Sequence, residues 1–316
     1  MEKDVTFVGM DVHKETIAVA VADGRGGEVR SLGVMPNTPE AIRKLVRRLG
    51  PTKRLACACE ARPCGYVLYR QLSRLGARCV VVAPSLIPTN PGDRVKTDRR
   101  DATKLVRLLR SGELTPVWVP DEDHEALRDL TRAREDARVD LLRARHRLSK
   151  FLLRLGLVLP AGAKPWGVKH RQWLQGLTLA RASQQIVLRE YLLAVEQVQE
   201  RLRRLEAELV EAATTSQHAV VIAALQALRG VGLVTAVTLV AELGDLRRFR
   251  TPRELMAYAG VVPAESSSGP RHHRGQLRRR GMRTCGTWRS KPRGIIGTRR
   301  GSGGAATTPG ATIGAD

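Results

Sequence analysis

Aromatic residues and paired cysteines are scarce in this chain. Phe, Trp and Tyr together make up 3% of its 316 residues, so stacking of bases on aromatic side chains is not the obvious way for it to bind a single strand. The 5 cysteines are an odd number in a long chain and lack the C-x2-C pairs of a zinc site. We therefore expect free thiols rather than a disulfide framework.

Long hydrophobic runs are missing as well. No stretch approaches the roughly 20 apolar residues that a membrane-spanning helix needs, and the opening Met-Glu-Lys-Asp is a poor start for a signal peptide. We therefore expect no membrane partner and a soluble, cytoplasmic chain.

Acidic residues are outnumbered by basic ones. Lys and Arg number 54 against 31 Asp and Glu, which leaves a formal net charge of +23. An excess of this size attracts polyanions, and neutralisation of phosphates by Lys and Arg drives sequence-independent binding to nucleic acid. Nucleic acid is the favoured partner, and a membrane surface is the alternative.

Residues 1–120 alternate between strand and helix patterns. Alternation of β-branched residues predicts two strands within residues 4–22, joined by a turn at 11–15, and further strands at 28–34, 55–59 and 78–83. Helical patterns occupy 38–49, 66–75 and 102–110. The order β-β-β-α-β-α-β-α predicts an α/β sandwich built on a mixed sheet.

Four carboxylates stand at the ends of successive elements in this region. Asp11 ends the first predicted strand, Glu60 follows the fourth, and Asp98 and Asp101 lie three residues apart near the start of a helix. Acidic residues in a first helical turn can simply offset the macrodipole and cap free N–H groups. Four such groups in a basic protein are better explained by bound divalent cations, because they would otherwise repel one another.

The middle of the chain is helical. Heptad-like apolar spacing runs from residue 121 to about 156 and again from 181 to about 213. The pattern predicts a long antiparallel hairpin or a coiled coil between two subunits. We interpret residues 121–215 as a coiled-coil or dimerisation arm, with a connector at 160–176.

Residues 216–275 predict a mostly α-helical C-terminal domain. A glycine turn, with Gly230 and Gly232, separates two helices and resembles a helix-hairpin-helix, in which backbone N–H groups approach a DNA phosphate. Such a turn also occurs as plain helix packing. The serines at 266–268, beside His272, His273 and several arginines, are either loop residues or the site of a nucleophile in phosphoryl transfer.

Several motifs together resemble a known family. They are Gly9-Met-Asp11-Val-His-Lys, Glu60 after a strand, Val95-Lys-Thr-Asp98-x-x-Asp101-Ala, Val117-Trp-Val-Pro and Leu127-Arg-Asp-Leu-x-Arg. This set is similar to the DEDD transposases of bacterial insertion sequences, the insertion sequence one-ten family. Relatives of that family include pilin-gene invertases and bridge-RNA-guided recombinases, and the likeness runs from about residue 5 to residue 275.

The resemblance implies an RNase H-like (RuvC-like) N-terminal domain in which Asp11, Glu60, Asp98 and Asp101 hold Mg²⁺ or Mn²⁺. It also implies a catalytic serine in the C-terminal domain, with Ser268 favoured and Ser267 close behind. The implied partners are the DNA of the mobile-element ends and target, a guide RNA, and further copies of the chain in a dimer or tetramer. We expect DNA contacts from Lys96, Arg99, Arg100, Gly230, Gly232, Arg271 and Arg274.

The family pattern is lost after Arg274-Gly275. The family continues there with a Thr-Lys-x-Gly-Asn-like segment and an apolar helix, whereas residues 276–316 carry nine Lys or Arg against one acid and little apolar periodicity. This composition predicts a disordered basic tail. We hypothesise that the reading frame shifts near residue 275, which translation of the other two frames of the encoding DNA tests.

Three functions are therefore compatible with the residues. The favoured one is a transposase or site-specific recombinase that mobilises an insertion sequence by metal-dependent and serine-dependent strand cleavage and exchange. One alternative is a junction-resolving nuclease that uses only the four carboxylates. The other is a nucleic-acid-binding remnant that has lost its chemistry.

Overall fold

The computed structural model describes residues 4–88 and 97–260, together with the backbone of residues 263–268 and 271–277. The chain divides into two compact units, with the border between Val119 and Pro120. None of the helices in the described ranges combines the length and the apolar character that a membrane crossing requires.

The first unit has the predicted order of strands and helices. Its elements are β1 (Thr6–Val12), β2 (Thr16–Asp23), β3 (Arg30–Pro36), α1 (Pro39–Leu49), β4 (Leu55–Glu60), α2 (Gly65–Arg74), β5 (Arg78–Val82) and α3 (Asp98–Ser111). The strands form one sheet in the order β3-β2-β1-β4-β5. β1 is antiparallel to β2 and parallel to β4, and β4 is parallel to β5. The predicted mixed α/β sheet is confirmed.

Alternation along the strands separates two faces of this sheet. On β2, Ile17, Val19 and Val21 belong to the large core that includes residues of α1 and α2. The alternate positions of the same strand are the alanines 18, 20 and 22, and these pack against Ala102 and Val106 of α3. Small side chains on this second face allow α3 to lie close to the sheet.

Two predicted boundaries in this unit were wrong by a few residues. The first turn does not begin at Asp11, because Asp11 still pairs with Ala18 and β1 continues to Val12. Helix α3 begins at Asp98 rather than at residue 102, since Thr97 caps it by accepting the N–H of Arg100 at 3.3 Å. Asp98 and Asp101 therefore both lie in its first turn.

The second unit is built around two long helices. Its elements are α4 (Glu122–Arg154), α5 (Val168–Gly176), α6 (Ala182–Thr215), α7 (Ala219–Gln226), α8 (Leu233–Leu243), α9 (Pro252–Tyr258) and the strands β6 (Pro263–Ser268) and β7 (Arg271–Leu277). The connector predicted at 160–176 contains a helix, α5, because His170 and Leu174 are one helical turn apart and are both buried. The first of the two helices predicted on either side of the glycine turn is α7, Ala219–Gln226.

Helices α4 and α6 pack against each other within one chain, in antiparallel directions. Arg134 of α4 donates to Glu206 of α6 at 3.0 Å, and Asp140 of α4 pairs with Arg201 of α6 at 3.7 Å. Further along α4, Phe151 contacts the ring of Tyr191. Residues later in α4 thus contact residues earlier in α6. This is the antiparallel hairpin, one of the two arrangements that the sequence pattern predicts. The coiled coil and its role in dimerisation stay predictions.

Helix α8 is anchored to α4 by buried charges. Arg128 of α4 donates to the carbonyl oxygen of Ala241 at 3.1 Å, and Arg132 donates to the two carboxylate oxygens of Glu242 at 2.9 and 3.1 Å. Glu242 is 1% exposed and Arg128 is 7% exposed. These bonds hold the end of α8 on the long hairpin.

Candidate functional site

Two of the predicted carboxylates are brought together by neighbouring parallel strands. The last pair in the β1–β4 register is Met10 with Cys59, and Asp11 and Glu60 are the next residues on the two strands. They lie on the face of the sheet that α3 covers, because the alternate residues Met10 and Cys59 belong to the opposite core. Both side chains are buried, with 1% of Asp11 and 7% of Glu60 exposed.

Helix α3 delivers the other two carboxylates to the same edge of the sheet. It lies directly over β1 at Gly9, where an added Cβ would collide with the backbone oxygen of Ala102 and the backbone nitrogen of Val106. This close approach places the first turn of α3 beside the end of β1. Asp98 Oδ1 there is 3.3 Å from the Nε2 atom of His13.

His13 links Asp11 to Asp98. Its Nε2 atom lies 3.2 Å from Asp11 Oδ2 as well as 3.3 Å from Asp98 Oδ1. One potential ligand atom from each of these three residues lies within 4.8 Å of the others. The backbone of His13 is held in its turn because its N–H donates to Thr16 at 2.8 Å and its carbonyl oxygen accepts from Asn37 at 2.8 Å.

Arg62 supplies a positive charge to the other side of the cluster. Its Nε donates to Glu60 Oε2 at 2.6 Å, and a tight turn, in which Arg62 N–H donates to the Glu60 carbonyl at 2.8 Å, folds it back toward the strand end. The hydrogen bond to Glu60 raises the pKa of Arg62, and the nearby charges of Asp11 and Asp101 act in the same direction while burial opposes them. Asp11, Glu60 and Asp101 therefore all lie within electrostatic range of one guanidinium.

Asp11 has one oxygen without a partner. Its Oδ1 atom is buried and makes no hydrogen bond among the described residues. Burial raises the pKa of Asp11, with the charge of Glu60 adding to the effect and the charges of His13 and Arg62 reducing it. Leaving a buried acceptor unsatisfied costs on the order of 1–3 kcal/mol of stability. This oxygen is therefore suited to bind a cation or a hydrogen-bond donor.

The donor set fits a divalent cation. Carboxylate oxygens are the ligands that Mg²⁺ and Mn²⁺ prefer, and a pair of carboxylates from different elements is a common way to hold them. The orphaned Oδ1 of Asp11, close to His13 and Asp98, is the atom that such an ion would satisfy. The residues present therefore match the predicted Mg²⁺ or Mn²⁺.

Sequence reasoning missed His13 and Arg62. Each stands two residues after a predicted carboxylate, His13 after Asp11 and Arg62 after Glu60. In an extended chain, residues two apart point to the same face, so this spacing was the available signal. Whether either side chain turns toward the carboxylates depends on the turn that follows each strand.

The predicted DNA-contacting residues fall in several places. Arg99 and Arg100 are exposed on the first turn of α3, whereas Lys96 lies outside the described residues. Gly230 and Gly232 are exposed in the turn between α7 and α8, and Gly230 has a positive φ of 85°. Between them Val231 is buried and packs into the core of the second unit. The helix-hairpin-helix assignment stays a prediction.

The serine motif lies in the β6–β7 hairpin. In the backbone register Ser268 is opposite Arg271, Ser267 opposite His272, and Glu265 opposite Arg274. The side chains of Ser267, Ser268, Arg271 and Arg274, like all of residues 278–316, lie outside the described part of the chain. The hairpin therefore brings the serine and arginine positions together along the backbone.

Two family models match the chain. A transposase model of the DEDD-type IS110 group matches residues 8–156, a range that includes all four carboxylates. A model described as "Transposase IS116/IS110/IS902 family" matches residues 222–285. The second match includes the glycine turn and the serine motif and extends past the point near residue 275 where the family pattern was judged to be lost.

Individual relatives give the same picture. The chain is 46% identical over 265 residues to the Sinorhizobium fredii protein y4qE, named as a transposase, and the alignment covers 83% of this chain and 64% of that relative. It is 36% identical over 253 residues to the transposase for insertion sequence element IS1533 of Leptospira borgpetersenii, covering 79% of this chain and 73% of the relative. The chain thus spans less than two thirds of the length of y4qE.

One solved structure aligns with a smaller part of the chain. The chain aligns with Thermus thermophilus RuvC at 12% sequence identity, covering 36% of this chain and 100% of the RuvC chain, with a TM-score of 0.27.

Proposed function

Because the chain belongs to the IS110 family of insertion-sequence transposases, we propose that it is a DNA recombinase that mobilises an insertion sequence by metal-dependent and serine-dependent strand cleavage and exchange. Its proposed partners are the DNA of the element ends and of the target, a guide RNA, and further copies of the chain. The observation that carries the metal-dependent part is the cluster of Asp11, His13 and Asp98, in which Asp11 is buried and its Oδ1 has no hydrogen-bond partner among the described residues.

The four carboxylates are proposed to hold the metal. Asp11 and Glu60, on adjacent strands, and Asp98 and Asp101, on the first turn of α3, provide the oxygen ligands. A bound Mg²⁺ or Mn²⁺ supplies charge stabilisation for a phosphate undergoing displacement and lowers the pKa of water. His13 orients Asp11 and Asp98 toward each other. Arg62 offsets the repulsion among the remaining carboxylates while the site is being assembled.

The serine is proposed to carry the strand between cleavage and rejoining. The Oγ of Ser268, or of Ser267, attacks a DNA phosphorus; a Ser–phosphate bond forms as the bond to the departing sugar oxygen breaks. The serine hydroxyl loses its proton, and the departing sugar oxygen gains one. The phosphodiester is conserved, so the reverse attack by another strand end completes exchange without an external energy source. Arg271 and Arg274, opposite Ser268 and Glu265 in the hairpin register, would stabilise the charge on the phosphate.

Charged and glycine-rich positions are proposed to bind the DNA backbone. Lys96, Arg99 and Arg100 flank the carboxylates and would neutralise phosphates beside the metal. Gly230 and Gly232 present backbone N–H groups at the start of α8, whose N-terminus has no side-chain cap and therefore favours a phosphate.

Strand exchange on the element itself tests the metal site. The purified chain would be given a plasmid that carries its own insertion sequence, with Mg²⁺ or with chelator. We expect Glu60→Gln and Asp11→Asn to lower strand cleavage by about 100-fold or more while DNA binding persists. Glu28→Gln, an exposed carboxylate away from the cluster, is the matched control. Full cleavage by Asp11→Asn would reject the metal assignment.

Single serine substitutions separate recombinase from nuclease. The carboxylate cluster is formed entirely within the first unit and does not need the serine motif. A junction-resolving nuclease that uses only the carboxylates is therefore the second candidate. We expect a covalent protein–DNA adduct to be trapped on a nicked substrate and to disappear in Ser268→Ala or in Ser267→Ala, with Ser266→Ala as the control. Undiminished cleavage in all three variants, with no adduct in the unsubstituted chain, would favour the nuclease.

A further inference from the structure

The end of the helical hairpin contains no acidic residue. Residues 141–189, here called the arm tip, include no Asp or Glu. They carry ten basic residues: Arg143, Arg145, Arg147, Lys150, Arg154, Lys164, Lys169, Arg171, Arg181 and Arg189. Toward the other end of the same hairpin the arginines are paired with carboxylates, as in Arg134 with Glu206 and Arg201 with Asp140. Arg143, at the border of the arm tip, also pairs with Asp140, at 3.2 Å. Positive charge is thus concentrated at one end of the arm.

The arm tip is a packed structure and not a loose basic loop. Leu148 and Phe151 of α4, Leu174 of α5 and Leu188 of α6 are buried in one apolar cluster, against which Trp173 packs. The basic side chains of three helices therefore surround a single small core. Their positions relative to one another are held by that core.

Arg145 of the arm tip is partly buried and lies within electrostatic range of Arg171, and neither arginine has an ion-pair partner among the described residues. The guanidinium of Arg145 lies over the ring of Trp166, with its central carbon 4.8 Å from the ring centroid. Its Nε is buried and has no hydrogen-bond partner among the described residues. Burial lowers the pKa of Arg145, and the positive charge of Arg171 lowers it further. A buried N–H without an acceptor and two like charges within electrostatic range of each other favour the binding of an anion.

A row of exposed basic residues runs along α4 in the same region. Arg143, Arg147, Lys150 and Arg154 are exposed and are spaced by four, three and four residues, so they share one face of the helix. At a rise of about 1.5 Å per residue the row extends over roughly 16 Å. A straight row of this kind suits the regularly spaced phosphates of a duplex.

We propose that the arm tip binds the sugar–phosphate backbone of duplex DNA, and that Arg145 and Arg171 together hold one of its phosphates. The inference rests on the proposed function only in taking DNA as the partner. Duplex DNA is favoured over a single strand because the charged row is regular and because the two tryptophans of the arm tip, Trp166 and Trp173, pack against its apolar core, which leaves them less available for base stacking.

The salt dependence of binding by the full chain tests this. A labelled DNA duplex of arbitrary sequence would be titrated at several salt concentrations. Because each neutralised phosphate contributes about −0.9 to the slope of log affinity against log salt, and Arg145 and Arg171 together hold one phosphate, we expect Arg145→Gln with Arg171→Gln to make the slope shallower by about 1. Arg203→Gln with Arg204→Gln removes the same charge from α6, where both arginines pair with Glu200, and is expected to leave the slope unchanged.

Further variants keep the test decisive. If the double variant melts at a lower temperature, Arg171→Gln alone, which changes an exposed side chain, is expected to make the slope shallower by about 1. The variant Arg145→Lys with Arg171→Lys retains both charges and should restore most of the slope. The proposal would be overturned if the variant Arg145→Gln with Arg171→Gln had the same slope as the α6 control. It would also be overturned if this variant lost affinity for single-stranded RNA alone and bound duplex DNA as before. If the unsubstituted chain binds no DNA at all, both the proposed function and the role of the arm tip are wrong. If the chain binds DNA and the arm-tip variant has an unchanged slope, only the role of the arm tip is rejected.

Discussion

Gly9 of β1 lies directly beneath the carbonyl oxygen of Ala102 in α3, with no room for a side chain between the two backbones. This contact fixes how closely the helix approaches the sheet. The same helix carries Asp98, and the strand carries Asp11. The distance between the two carboxylates therefore depends on a glycine that has no chemical role of its own.

We expect Gly9→Ala to destabilise the first unit and to separate its carboxylates. The added methyl would meet backbone atoms, which cannot move aside as a flexible side chain can, so the free energy of unfolding should fall by about 1–3 kcal/mol. Urea denaturation measures this, with Gly176→Ala as the control because a Cβ there meets nothing within 4 Å. Equal stability of the two variants would contradict the contact.

His13→Ala should weaken metal binding without unfolding the protein. Its Nε2 is the atom that lies between Asp11 and Asp98, and residues that orient ligands typically contribute about 10–100-fold to metal affinity. Mn²⁺ binding followed by electron paramagnetic resonance provides the measurement. His146→Ala, an exposed histidine of α4, should bind Mn²⁺ as the unsubstituted chain does. An unaltered affinity in His13→Ala would remove His13 from the site.

Divalent cations should raise the thermal stability of the chain, and Asp11→Asn should abolish the effect. An ion that binds only the folded state adds about 2.7 kcal/mol at a hundred times its Kd, and Asp11 Oδ1 is the unsatisfied oxygen available to it. Melting curves with Mg²⁺ and with chelator give the difference. Glu28→Gln should retain the full response, so an equal response in Asp11→Asn would count against a cation at this carboxylate.

Glu242→Ala should be among the most damaging changes in the second unit. Glu242 is buried and accepts two hydrogen bonds from Arg132, and its removal also leaves Arg128 buried without its carboxylate neighbour at 3.6 Å. Breaking a buried ion pair on one side costs about 3–5 kcal/mol. Glu200→Ala breaks exposed pairs with Arg203 and Arg204 and should change stability by less than about 1 kcal/mol. Chemical denaturation of both variants compares them.

His218 should make the second unit less stable in mild acid. Burial and the charge of His124 lower the pKa of His218 below its usual 6.5, while Asp121 and Asp123 oppose this. The unfolded chain therefore binds this proton more tightly, so the stability that His218 contributes is present above pH 6.5 and is lost as the pH falls below it. The difference in unfolding free energy between the chain and His218→Gln should narrow over that range. A constant difference would show that His218 does not titrate differently on folding.

Much of the first unit could be predicted from local patterns. Alternation in the strands and the helix signals gave the order of its elements and placed Asp11 and Glu60 at the ends of two strands. That these strands are parallel neighbours, which brings the two carboxylates side by side, follows from the register of the sheet. The start of α3 was harder to predict. Thr97 caps the helix by accepting the N–H of Arg100, and this cap starts the helix within a polar stretch whose composition does not indicate one.

The sequence by itself determined the mixed α/β sheet, the two long helices and the four carboxylates with their order, because each depends on periodicity or on residue type over a short stretch. Only the tertiary structure decided that His13 and Arg62 face those carboxylates, that α4 packs on α6 of its own chain, and that Arg145 lies over the ring of Trp166. These are contacts between residues distant in sequence or beyond a turn, and their formation depends on backbone register and packing, which no local pattern records.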